Sequence, residues 1–177
     1  AGIWDCGLNT LYVRDVSRDK SISASYAGDI ISLKALLFLA ILPLMIMYLK
    51  LLGYTTEIIK SLMLFAAGTF IFSVYSVFES MFTSWKRMDF SALISIARSF
   101  LLLLLVIIIE KLTGGVFEII VCYFISFLGS FLISLVIVKR SFVLPSFKRV
   151  SVMGLMRHAK VATPYLMASM LSIILFK

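Results

Sequence analysis

Two charges stand inside apolar stretches where charge is costly. Glu79 falls near the end of Ser61–Phe82, and Arg98 interrupts Phe90–Ile109. A charge at the centre of a membrane-spanning helix costs on the order of 2.5–3.5 kcal/mol on insertion scales and rarely faces lipid, so both are candidate functional groups. Each keeps company with serines at helical spacing. Ser76, Ser80 and Ser84 surround Glu79, and Ser91, Ser95 and Ser99 surround Arg98. Steps of four hold each set on one helix face. Two chemistries fit. Glu79 and Arg98 lie at similar distances from the short connection between their stretches and can form a structural ion pair across it. Alternatively, Arg98 with Glu79 and Ser95 makes a cationic, polar site for an anionic substrate, bound through charge-assisted hydrogen bonds. The serine faces read either as close helix packing through small side chains or as the polar wall of a water-filled cavity. A third stripe, Ser126, Ser130 and Ser134, carries no charge and has Gly129 beside it, which favours packing.

Signals of enzymatic chemistry are nearly absent. His158 is the single histidine, so a histidine metal site or an acid–base pair has one candidate and no partner. Cys6 and Cys122 are far apart and read as ordinary thiols. There is no phosphate-binding GxxxxGK[ST] loop to drive a pump. The expectation is no catalytic residue, no metal and no bound cofactor. Transport by this chain would run on an ion gradient, a substrate gradient or an outside motor.

The elements that position these residues follow from composition. Of 177 residues 62% are hydrophobic and 15% charged, with mean hydropathy +1.08. A soluble domain has about 45–50% apolar residues and about 25% charged ones. The numbers exclude a disordered chain, and two cysteines exclude a disulfide scaffold. An all-α integral membrane protein remains, a polytopic transmembrane helix bundle. Four uncut runs, 30–48, 61–82, 90–109 and 119–138, are long enough to cross a bilayer, since roughly 20 helical residues span about 30 Å. A fifth, 161–177, reads as the truncated start of another span. Leu101–Ile109 is unbroken aliphatic sequence, which excludes the alternation of a barrel strand. Residues 1–29 read as the end of a preceding helix and a cytoplasmic loop, and the chain as a fragment of a larger protein. Lys34, near the start of the first run, is expected to snorkel to the cytoplasmic side. Pro43 is expected to kink that run, while Pro164 reads as either a first-turn proline or a kink.

The formal charge is +8. Its distribution explains it without nucleic acid, because the basic residues sit between apolar runs. Arg14, Arg18, Lys20, Lys86, Arg87 and the basic connector 139–160 fall on one side by alternation, against Lys50, Lys60 and Lys111 on the other. Positive residues gather in cytoplasmic loops. Within the connector, Val152, Leu155, Met156 and Ala159 trace an apolar stripe that predicts a short interfacial helix.

The segment Gly7-Leu8-Asn9-Thr10-Leu11-Tyr12-Val13-Arg14-Asp15-Val16-Ser17-Arg18-Asp19-Lys20 is similar to the one closing the second helix of polysaccharide biosynthesis (oligosaccharide flippase) proteins. Ser76–Phe82 and Lys86–Leu93 resemble that family's fourth-to-fifth helix hairpin. Leu155–Ser172, with Ala162-Thr163-Pro164-Tyr165-Leu166, resembles its seventh helix. The resemblance implies helices three to seven of a MATE-like flippase with roughly 12–14 helices, two halves around a central cavity and alternating access. It implies a substrate of the polyprenyl-pyrophosphate-linked oligosaccharide type, moved across the cytoplasmic membrane, with Arg98 as the pyrophosphate contact. The expected partners are lipid-linked oligosaccharide and membrane lipids, with room for polysaccharide assembly proteins. A multidrug or cation exporter of the same superfamily and a membrane-embedded glycan or lipid enzyme are the alternatives. The exporter would call for more intramembrane carboxylates than Glu79, and the enzyme for clustered Asp, Glu or His in the loops.

Overall fold

The computed structural model describes residues 7–112, 115–142 and 144–146. Among these, every regular element is helical. A short helix α1 (Leu8–Arg18) leads through a 3-10 turn (Lys20–Ile22) into α2 (Ser23–Leu51), followed by α3 (Thr56–Ser84), α4 (Met88–Leu112) and α5 (Val116–Ser141). Helices α2 to α5 are long and apolar enough to cross a membrane. Their 25 to 29 residues amount to roughly 38–44 Å, more than the hydrocarbon core requires. The surplus turns lie beyond the apolar runs, because a helix continues until its backbone is capped, whatever the polarity of its last residues.

Two of the turns have the same construction. At the end of α2, Tyr54 N–H bonds Leu49 O and Gly53 N–H bonds Lys50 O, with Gly53 at φ 74°. At the end of α3, Arg87 N–H bonds Phe82 O and Lys86 N–H bonds Thr83 O, with Lys86 at φ 57°. Both are Schellman caps, in which a left-handed residue turns the chain and satisfies the last carbonyls. Glycine adopts that conformation freely. Lys86 adopts it against the steric preference of its Cβ.

Helix α3 is the centre of the bundle and packs on α1, α2, α4 and α5. Its largest interface is with α5 and combines small residues with the ring pairs Phe72–Phe127 and Phe78–Phe131. Gly68 lies so close to α5 that an added Cβ would sit 3.3 Å from the Phe127 ring and 3.5 Å from Phe124 Cα. Ser126, Ser130 and Ser134 are all buried. Ser126 Oγ donates to Arg98 O on α4 at 3.3 Å, and Ser130 and Ser134 return their protons to carbonyls of their own helix. This stripe is packing. Among the described residues helix α4 packs mainly on α3 and α5, and Leu93, Ile96, Phe100 and Leu103 are exposed.

The end of the bundle that carries the basic turns is closed by aromatic rings. Phe142 packs on Phe82, Trp85 and Phe90, and Ser146 N–H bonds Ala24 O at 2.8 Å. Lys20 lies over the Trp85 ring at 4.8 Å and Arg87 over Phe90 at 4.4 Å. Asp19 caps the 3-10 turn by accepting from Ser21 N and Ser21 Oγ, and these bonds hold its carboxyl below the usual range.

Two expectations change. The end of a preceding helix expected in residues 1–13 is α1 where the structure describes it, but the helix runs on to Arg18, and the loop expected from there to residue 29 is reduced to the 3-10 turn and the first turns of α2. Lys34 does not snorkel: its side chain is fully buried. Pro43 lies inside α2, which is helical on both sides of it. The interfacial helix expected in 151–160, the run 161–177 with Pro164, and Cys6 lie outside the described residues. Cys122 is buried.

Candidate functional site: a polar cleft between α1 and α3

Asn9, Thr10, Val13 and Arg14 recur at helical spacing on one face of α1, and Ser76, Glu79, Ser80 and Thr83 do the same on α3. The two faces meet along a cleft of about 520 Å³. Arg14 and Thr83 lie toward the basic end of the helices. Asn9 and Ser76 lie about 7–10 Å deeper, at 1.5 Å per residue.

Lys34 of α2 forms the inner support of the cleft. Its ammonium donates to Asn9 Oδ1 at 3.2 Å, to Ser73 O at 3.0 Å and to Ser76 Oγ at 3.2 Å. Asn9 Nδ2 in turn donates to Ser76 Oγ at 2.8 Å, and Ser76 Oγ donates to Ser73 O at 2.7 Å. One cation thereby ties three helices together. A buried ammonium is tolerated only when its protons find acceptors, and a network of this kind is costly to break. Serine supplies this junction with a group that both donates and accepts. On the same face Ser80 and Ser84 bond carbonyls one turn back, so their hydroxyls need no water.

Glu79 stands midway along the cleft. Its Oε1 accepts from Ser91 Oγ of α4 at 2.6 Å. The ion pair between Glu79 and Arg98 that the sequence allows is not formed. Arg98 instead places its guanidinium 4.8 Å from the centre of the Phe72 ring, a cation–π contact. The three site residues expected from sequence are therefore not one cluster. Glu79 lines the α1–α3 cleft. Arg98 sits at the junction of α3, α4 and α5, on Phe72 and under Ser126. Ser95 lies in a shallow groove of about 380 Å³ on the outward side of α4, with Ser99 and Phe100.

Sequence reasoning passed over Asn9, Thr10 and Arg14, because α1 is too short for a hydropathy window to register. The signal that marks them is the polar face opposite Leu8, Leu11, Tyr12 and Val16. Lys34 was legible as a charge inside an apolar run, but its partners come from two other helices. Among the described residues, no three His, Cys, Asp or Glu side chains converge as metal ligands.

Residues 2–177 match the family model described as polysaccharide biosynthesis protein. Comparison with curated proteins and with solved structures gives no match.

Proposed function

The chain belongs to the polysaccharide biosynthesis protein family, and from that premise we propose that it is a flippase rather than an enzyme. It moves polyprenyl-pyrophosphate-linked oligosaccharide or polysaccharide repeat units across the cytoplasmic membrane by alternating access. The observation that carries this reading is the polar cleft between α1 and α3, which runs from the basic end of the bundle into its interior. A sugar head group needs hydrogen-bonding partners along its path because hydrocarbon offers none, while its lipid tail stays in the bilayer. Thr10 and Glu79 line this path, and the Lys34–Asn9–Ser76 network gives it a polar floor. Arg98 is the contact for the pyrophosphate in this proposal. Its charge is held on an aromatic ring, with no carboxylate of the described residues within ion-pair distance, so it keeps its capacity for charge-assisted bonds. Ser95 lies apart from it, in the groove on the outward side of α4. Exchange between two cavity orientations requires that they be close in free energy.

The test is a proteoliposome assay with the full-length protein and a lipid-linked oligosaccharide. Flipping is read as exposure of the sugar to a lectin that cannot cross the membrane. The expected result is protein-dependent exposure, reduced at least about tenfold in R98Q and E79Q at unchanged incorporation. Absence of protein-dependent exposure would overturn the flippase reading. Full activity in R98Q would remove Arg98 from the path.

A further inference from the structure

We propose that a wedge between α3 and α5, at the ends remote from the basic turns, is a binding site for an amine-headed zwitterionic phospholipid of the phosphatidylethanolamine type. The wedge follows from one glycine. At Gly68 the two helices approach so closely that a Cβ would press on the Phe127 ring and contact Phe124. Toward the N-termini of both helices an opening lies between them. About 12 Å further along α3, at 1.5 Å per residue, this opening of about 610 Å³ lies between Ile58 and Leu62 on one side and Phe117 and Ile120 on the other. Its walls are apolar and α3 and α5 both cross the bilayer, so hydrocarbon is the filling that restores the missing dispersion contacts.

The rim selects the head group. Glu57 and Lys60 both border the opening and both are exposed. They fall within the first five residues of a 29-residue helix. Only about 20 of those residues are needed to cross the hydrocarbon, so the pair lies at head-group level. Three positions apart, they occupy the same helix face, with Cβ atoms about 5–6 Å apart. Neither forms an ion pair with the other or with any described residue. A carboxylate and an ammonium at this spacing complement a phosphoethanolamine dipole, with the phosphate on Lys60 and the ammonium on Glu57. An anionic glycerol head group would satisfy Lys60 and be repelled by Glu57. A quaternary choline would offer Glu57 charge without N–H donors.

The experiment uses the full-length protein in mild detergent, exchanged with equimolar dioleoyl phosphatidylethanolamine, phosphatidylcholine and phosphatidylglycerol, with retained lipid read by native mass spectrometry. The amine-headed lipid is expected to be retained about fivefold over either competitor. That preference should fall in E57Q and in K60Q and vanish in the double variant, with helix content and elution volume unchanged. Filling the wedge with I120W should lower retention of all three lipids. Equal retention by the unaltered protein, a preference for phosphatidylglycerol, or a preference that survives in the double variant would overturn the proposal.

Discussion

Ser91 Oγ lies 2.6 Å from Glu79 Oε1 and joins α4 to α3 across the turn at Lys86. The bond gives the intramembrane carboxylate a donor that does not neutralise it, which an ion pair with Arg98 would have done. A charge-assisted hydrogen bond of this kind contributes about 1.5–3 kcal/mol. Ser91→Ala is therefore expected to destabilise the bundle by about 1–2 kcal/mol, read as a lower midpoint of thermal unfolding in detergent. Ser91→Thr, which keeps the hydroxyl, should recover most of the loss. An unchanged midpoint in the alanine variant would show that the bond contributes nothing.

Lys34 presents a sharper case. Replacing it with Met keeps the volume but leaves Asn9 Oδ1 and the Ser73 carbonyl short of a donor. Removing one partner of a buried polar network costs more than removing both. Lys34→Met is expected to lose about 2–4 kcal/mol. Adding Asn9→Leu should return part of that loss, measured as a double-mutant cycle of unfolding midpoints. Strict additivity of the two changes would argue against the network.

The close approach at Gly68 makes a packing prediction. A Cβ there presses on the Phe127 ring and touches the backbone at Phe124, and a branched side chain reaches further. Gly68→Val is expected to cost about 1–3 kcal/mol by overpacking. The same change should weaken a disulfide cross-link engineered between α3 and α5. If the variant is as stable and cross-links as efficiently, the helices are further apart than described.

One turn and one hydroxyl predict a gain in stability, opposite in sign to the losses above. Lys86 holds a left-handed conformation that glycine adopts without strain, so Lys86→Gly should stabilise by up to about 1 kcal/mol. Ser73 Oγ is buried without a partner, and Ser73→Ala should be neutral or stabilising by about 1 kcal/mol. Both are read as shifts in unfolding midpoint. A clear loss in either would mean that the group has a role its surroundings do not reveal.

The connection of helices makes a topological prediction. The turn at Lys86 belongs to the basic end of the bundle, and the turn at Gly53–Tyr54 to the opposite end. Cysteines introduced at Lys86 and at Tyr54 should react with a membrane-impermeant thiol reagent from opposite sides, with Lys86 on the cytoplasmic side. Labelling of both from one side would refute the bundle's orientation and the flipping path with it.

Membrane residence and helicity were determined by the sequence alone. Leu101–Ile109 and the uncharged core of α5 admit no other backbone in lipid, since only a helix satisfies its own N–H and C=O groups there. The small-residue stripe Ser126, Ser130 and Ser134 was legible as packing because its spacing and the neighbouring Gly129 are read along one helix. The partners of a charge are a different matter. Glu79 and Arg98 stand at matching distances from one turn, yet the rotation of α4 about its axis sends Arg98 to Phe72 and offers Ser91 to Glu79. Lys34 looked free to reach the interface, but the packing of α1 and α3 against α2 placed three acceptors around it first. Periodicity specifies which residues share a helix face. Which helix that face meets depends on close packing among several segments, with Gly68 deciding where α3 and α5 touch, and such contacts exist only once the bundle is assembled.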